Sequence, residues 1–360
     1  MGGKLTTVFL AVMVCSLGCA QSHRVEGTCL VSSGDVRASA MERLRGENLP
    51  ALREAKVWDN PYGPGIELTT DHYRIRTTLL EPLMLRNVPG FLEAAHAGYN
   101  GQLPQPIESS SKFDVYLFGQ RQQWEKFTRS FAGDQAEIFC KIKTGAYYLN
   151  GACVVYDIGR SRTLAALGHE GWHQFNSRHF KYRLPCWLDE GVAMLFEESV
   201  CEQGTFRFVP EMNVQRLGAL STTLSTGGPM PLSELVTTSP GHVIATDQAG
   251  AVLAFYSESY SLVRFLREAG GGKYLSAYQR MLRDGLTGRW PLSEEARRIA
   301  EDRNVPRTTG WNRTVGSALF TAYVGSDFDR LEREYRAYCR RVLKGKSFVW
   351  LDEAGMYSMN

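Results

Sequence analysis

Residues 169–173 read His-Glu-Gly-Trp-His. Two histidines four positions apart share one face of a helix, so His169 and His173 can aim ring nitrogens at a single cation. Glu170 lies one position on from the first of them. From there a carboxylate can reach a water on the cation as general base without itself becoming a ligand. The chemistry this spacing serves is hydrolysis by an activated water. A hydrolytic metal also needs a third protein ligand and a position left open.

Two residues downstream offer that ligand. His179 extends the string to HExxHxxNxxH, which resembles the metzincin pattern except that Asn176 stands where that family has Gly, and Asn tolerates the left-handed conformation such a turn implies. Glu190 stands within Trp187-Leu188-Asp189-Glu190-Gly191-Val192-Ala193. Pro185 interrupts any helix continuing from the first. Residues 187–200 are therefore expected to form a second helix that returns antiparallel to it, with Leu188, Val192, Leu195 and Phe196 as its apolar stripe. Gly171 and Gly191, one in each helix, would let the two backbones approach closely around an ion. This arrangement favours Glu190 over His179.

An HExxH helix followed by a Trp-Leu-x-Glu-Gly-x-Ala helix resembles the gluzincin metallopeptidases, the broad group that includes thermolysin and the large zinc aminopeptidases. The closer resemblance is to the bacterial peptidase MA-like proteins. Its specific part is 145–200: the Tyr-Tyr-Leu-Asn-Gly hairpin, the His-Glu-Gly-Trp-His-Gln helix and Pro-Cys-Trp-Leu-Asp-Glu-Gly. The resemblance implies one Zn2+ per chain on His169, His173 and Glu190, Glu170 as general base, and a peptide or protein substrate. It also implies an oxyanion donor from beyond the zinc helices, for which Tyr256 is preferred over Tyr260. Where thermolysin-like enzymes carry an Asp four residues after the glutamate, this chain has Met194, so the group that orients a ligand histidine is unassigned. Asp189 is available, but its side chain should point about 100° away from that of Glu190.

These residues need a scaffold. The expected class is α+β: a mixed αβ N-terminal half with a β-sheet, a mainly helical C-terminal half, and the zincin-like helix between them. Gly65–Thr70, Tyr73–Thr77 and Phe113–Phe118 alternate like strands. Ala146–Leu149 and Ala152–Tyr156 flank Asn150-Gly151, a two-residue hairpin signal. Residues 80–100 read as helical, broken or kinked at Pro89. Helical periodicity recurs near 161–177, 187–200, 249–268, 273–284, 293–302 and 327–343. The expected divisions are a signal at 1–19, a tether at 20–56, an αβ part at 57–160, a helical metal-binding part at 161–345 and a tail at 346–360. The strand at Gly145–Tyr148 could line a cleft and hydrogen-bond an extended peptide by strand addition.

The first residues carry an address. Lys4 precedes the apolar stretch Leu5–Leu17, the shape of a secretory signal and too short to span a bilayer. It ends Ser16-Leu17-Gly18-Cys19-Ala20, which resembles the lipobox of bacterial lipoproteins, although Ser16 stands where that pattern prefers Leu. Lipidation of Cys19 is the favoured expectation, with simple cleavage after Ala20 as the alternative. Either places the mature protein outside the cytoplasm, in a bacterial cell envelope or secreted, held to a membrane by lipid if at all.

Composition bounds the rest. The chain has 360 residues with Lys plus Arg at 41 against Asp plus Glu at 38, so no basic excess points to nucleic acid. Of its eight cysteines, those beyond the signal are Cys29, Cys140, Cys153, Cys186, Cys201 and Cys339, and an oxidising compartment makes disulfides the expectation. Cys186 and Cys201 are excluded as a pair if one helix joins them. Two functions fit: an exported zinc peptidase, or a non-catalytic zinc-binding or envelope-structural protein on the same scaffold. Glu170 favours the first, because a structural metal has no use for a base.

Overall fold

A computed structural model describes residues 33–344, with breaks at 110, 143–144, 227 and 247–249, and the dipeptides Trp350–Leu351 and Tyr357–Ser358. Cys19, the expected lipidation position, and Cys29 lie outside the described residues.

The N-terminal half is built on a six-stranded sheet. Its strands are β1 (Glu54–Val57), β2 (Ile66–Thr69), β3 (Tyr73–Thr77), β4 (Phe113–Phe118), β5 (Ala146–Leu149) and β6 (Ala152–Tyr156), in the spatial order β1-β2-β3-β4-β6-β5. β3, β4 and β6 run parallel, while β1, β2 and β5 are antiparallel to their neighbours. The β5–β6 turn is the expected Asn-Gly hairpin. Asn150 and Gly151 both take positive φ, 50° and 83°, as a two-residue turn that follows strand twist requires.

All five residues of β6 are buried because both sheet faces are covered. Alternation divides them: Cys153 and Val155 join the main core, while Ala152, Val154 and Tyr156 join a smaller aromatic core. That smaller core gathers Trp124 and Phe127 from the helix Arg121–Phe131. β5 is left on the edge of the sheet.

The C-terminal half is helical, as expected. Helices at Val214–Ser225, Leu275–Thr287 and Phe328–Leu343 pack against the central helix Ala251–Glu268, which is buried from Ala254 to Leu266, and Glu294–Glu301 is a further helix of this half. The main core runs continuously from Ala40 to Cys339, so the two halves differ in secondary structure but share one interior. Among the described residues, no helix is long and apolar enough to cross a membrane.

Four expectations are corrected. The segment expected as a tether is folded from Ser33: a helix spans Ser33–Gly46 and buries Ala40 and Leu44. Pro89 does not break its helix, which runs unbroken over Pro82–Asn100. The ring removes one N–H, but Leu85, Val88, Phe91, Leu92 and Ala95 are buried around it, and tertiary packing outweighs one lost bond.

The expected helix 187–200 spans only Cys186–Ala193. A 3-10 turn at Met194–Phe196 follows, then a hairpin of β7 (Ser199–Glu202) and β8 (Thr205–Phe208). Lastly, Cys140, Cys153, Cys186, Cys201 and Cys339 are all free thiols.

Candidate metal centre

The helix Arg160–His179 carries the HExxH residues, and it is buried from Thr163 through most of its length. Tyr99 fixes its position by donating from its hydroxyl to the Gly168 carbonyl at 2.6 Å. After the helix ends, the chain passes Pro185 and returns as Cys186–Ala193, which brings Glu190 back to the two histidines.

The glycines work differently from the expectation. A Cβ on Gly171 would meet the Tyr99 hydroxyl at 2.4 Å, and one on Gly191 would meet the Ser259 carbonyl at 2.5 Å. Each admits a third helix rather than its partner. The closest approach is at Gly168, where a Cβ would come within 2.1 Å of the Phe196 carbonyl oxygen. That contact seats the 3-10 turn directly on the HExxH helix.

His169, His173 and Glu190 meet as expected. Their Nε2 atoms are 3.2 Å apart, and Glu190 Oε2 lies 3.4 Å from His169 Nε2 and 3.7 Å from His173 Nε2. All three side chains are buried. Around an ion with bonds near 2.1 Å, tetrahedral ligands stand about 3.4 Å apart.

Both imidazoles have a carboxylate on their other nitrogen. His173 Nδ1 donates to Asp189 Oδ1 at 3.1 Å, and His169 Nδ1 donates to Glu197 Oε1 at 3.0 Å. An ionised carboxylate can only accept, so both Nδ1 atoms carry the proton. In the neutral rings both Nε2 lone pairs then face each other and Glu190 Oε2, an oxygen with no hydrogen-bond partner. Burial lowers the pKa of both imidazoles, but Glu190 together with Glu197 or Asp189 raises them above the ordinary value. A proton on a ring nitrogen therefore relieves the converging lone pairs when no ion is there, and a metal ion relieves them when one is bound. The chemistry of this donor set therefore fits a metal ion.

The supporting carboxylates are held ionised. Burial raises the Glu197 carboxyl, but Arg216 and the bond from His169 bring it down to about 2. Arg216 Nη2 contacts Glu197 Oε1 at 2.6 Å, and Asn213 Nδ2 donates to Oε2 at 2.9 Å. Burial likewise opposes Asp189, yet His173 and Arg307 hold it well below the usual carboxylate range. Arg307 Nη1 reaches Asp189 Oδ2 at 2.8 Å, while Trp172 and Asn176 donate to Oδ1 at 3.1 and 2.9 Å.

Neither orienting carboxylate was assigned from sequence. Asp189 is available in the sequence, with its side chain expected about 100° away from that of Glu190. That divergence is what carries it behind His173 while Glu190 goes in front. Glu197 had no usable signal, because the chain was expected to be helical there, whereas the 3-10 turn redirects it towards His169.

Glu170 is 3% exposed and is not one of the ion-facing ligands. Burial raises its pKa, opposed by His173 and His169, and the backbone of Tyr148 in β5 hydrogen-bonds to it. The edge strand thus adjoins the carboxylate beside the ion site.

The two tyrosines differ. Tyr260 donates to the Pro210 carbonyl and lies 3.2 Å from Arg264 Nη1. Tyr256 is buried with a hydroxyl that has no partner, and Glu190 is the charge that acts on it most after burial itself. His179 is outside the cluster. The helix continues through Asn176 instead of turning, and His179 Nε2 pairs with Ser109 at 2.9 Å.

Among the described residues, His169, His173 and Glu190 form a group able to hold a metal ion. No protein-family model matches this chain, and no curated protein matches it.

Proposed function

We propose that this protein is an exported zinc-dependent peptidase of the gluzincin kind. One observation carries the reading: two carboxylate-backed histidines and Glu190 converge on one point, and a further buried carboxylate, Glu170, sits beside them with no ligand role. A purely structural site would close its fourth position with another protein ligand. Here the cluster offers three ligand atoms, two nitrogens and an oxygen, the donor set of a catalytic zinc.

A zinc ion held there supplies Lewis-acid polarisation of a carbonyl and acidifies water to a pKa of about 7. Glu170 accepts the proton of the attacking water and returns it to the departing amine. Asp189 and Glu197 keep each ligand histidine in one tautomer and one orientation. The unpartnered Tyr256 hydroxyl is the donor available to a developing oxyanion. β5, the edge strand of the described sheet, would take an extended peptide beside it through backbone groups other than that of Tyr148, which Glu170 holds, and the scissile bond would then lie near Glu170. The substrate is a peptide or protein, and a lipid on Cys19 would hold the enzyme to an envelope membrane.

The test is peptide-library cleavage by the metal-loaded protein beside Glu170→Gln. The variant is expected to keep one zinc and to lose cleavage. Undiminished cleavage by Glu170→Gln would remove Glu170 as the base and the peptidase mechanism with it.

A further inference from the structure

On the far side of His173 from the ion site is a cavity of about 20 Å3, lined by Arg183, Arg303, Arg307, Asp189, His173 and Asn176. That is room for one body the size of a water molecule. The charges around it do not balance. Asp189 is fully engaged with Arg307, His173, Trp172 and Asn176. Arg303 donates to the Phe180 carbonyl at 2.5 Å.

Arg183 is the unmatched member. It is 3% exposed, and its guanidinium lies 5.4 Å from the Trp311 ring centroid. Nη2 reaches the Ile299 carbonyl at a long 3.4 Å, while Nε and Nη1 have no hydrogen-bond partner. The acidic group that acts on it is Asp302, whose Oδ1 is taken by the Asn304 backbone. Burial, then Arg307 and Arg303, lower the Arg183 pKa to about 9. A buried cation with two idle donors is costly unless an anion meets it.

We propose that this cavity binds one small monatomic anion of the chloride kind, held by Arg183 and Arg303 behind His173. A water could accept from the idle donors but would leave the charge uncompensated. Arg303 is exposed and opens one side of the space, and the small space between the guanidiniums favours a compact ion over a carboxylate. The bound anion shields Arg307 from Arg183, so it keeps Arg307 on Asp189 and Asp189 on His173. Its role is positional and independent of whether the protein cleaves peptides.

The experiment is 35Cl line broadening on the metal-loaded full chain, with melting temperature followed in chloride and in gluconate at equal ionic strength. The expected result is saturable broadening in the wild type, absent in Arg183→Gln and weakened about tenfold in Arg303→Gln. The melting temperature should rise with chloride and not with gluconate. Bromide should compete; formate should not. Broadening that is equal in the wild type and in Arg303→Gln comes from the metal or the surface, and would overturn the site even if Arg183→Gln fails to fold. Stabilisation by formate above chloride would assign a carboxylate and overturn it too.

Discussion

At the scale of single residues, the centre depends on paired carboxylates. Asp189 and Glu197 each accept from the rear nitrogen of one histidine and are each gripped by a buried arginine, Arg307 and Arg216. Removing such a group commonly costs 10- to 100-fold in metal affinity. We expect Asp189→Ala and Glu197→Ala each to weaken zinc binding by about that factor in a chelator competition. Asp189→Ala should also destabilise the fold by roughly 3–5 kcal/mol, because it leaves Arg307 buried opposite no anion; urea denaturation of the metal-free protein reads that separately. Glu190→Ala should abolish stoichiometric zinc, whereas His179→Ala should retain it. The reverse pattern would reinstate His179 as the third ligand.

At the scale of elements, the decisive contact is the 3-10 turn Met194–Phe196 on Gly168. It turns the chain so that Glu197 reaches His169, and it does so only because no side chain stands at position 168. Gly168→Ala would force the Phe196 carbonyl away. We expect a loss of about 1–3 kcal/mol, the range for overpacking, accompanied by weaker zinc binding. A melting curve unchanged by Gly168→Ala would mean that the turn is not clamped there.

This contact also marks where sequence reasoning ran out. The HExxH face, the Asn-Gly hairpin and Glu190 rest on short-range rules of spacing and turn chemistry, and those residues lie where the rules put them. The end of the helix at Ala193 rests on tertiary contacts with a glycine from another helix, which no local pattern in 187–200 encodes. Pro89 fails in the same way from the other direction. A local rule expects a break or a kink, and the helix runs on past the ring because its neighbours on both sides are buried. Asp189 was legible as a residue but not as a partner, because its role depends on which helix passes behind it.

At the scale of the whole molecule, one interior joins the sheet to the helical half, and the metal site lies within it. Metal binding should therefore stabilise the entire fold. At a free zinc concentration a thousandfold above Kd the gain is about 4 kcal/mol, and a chelator should lower the melting temperature cooperatively rather than melt one half first. The five described thiols are unpaired, with Cys201 exposed and Cys153, Cys186 and Cys339 buried. A reducing agent should leave the melting temperature unchanged, and in the native state a thiol reagent should modify Cys201 well before the three buried thiols. A fall of several degrees on reduction would reveal a disulfide that the described residues do not contain.

The folding of the chain from Ser33 onward, rather than from the region of residue 57, sets a geometric limit. A fully extended chain spans at most about 3.5 Å per residue. With a lipid on Cys19, the 14 steps to Ser33 (33 minus 19) allow a leash of at most about 50 Å. A leash running to residue 57 would have been more than twice as long. The protein would then patrol a thin layer against the bilayer. It would meet partners lying flat on that surface or emerging from it, and would be out of reach of anything deeper in the surrounding space.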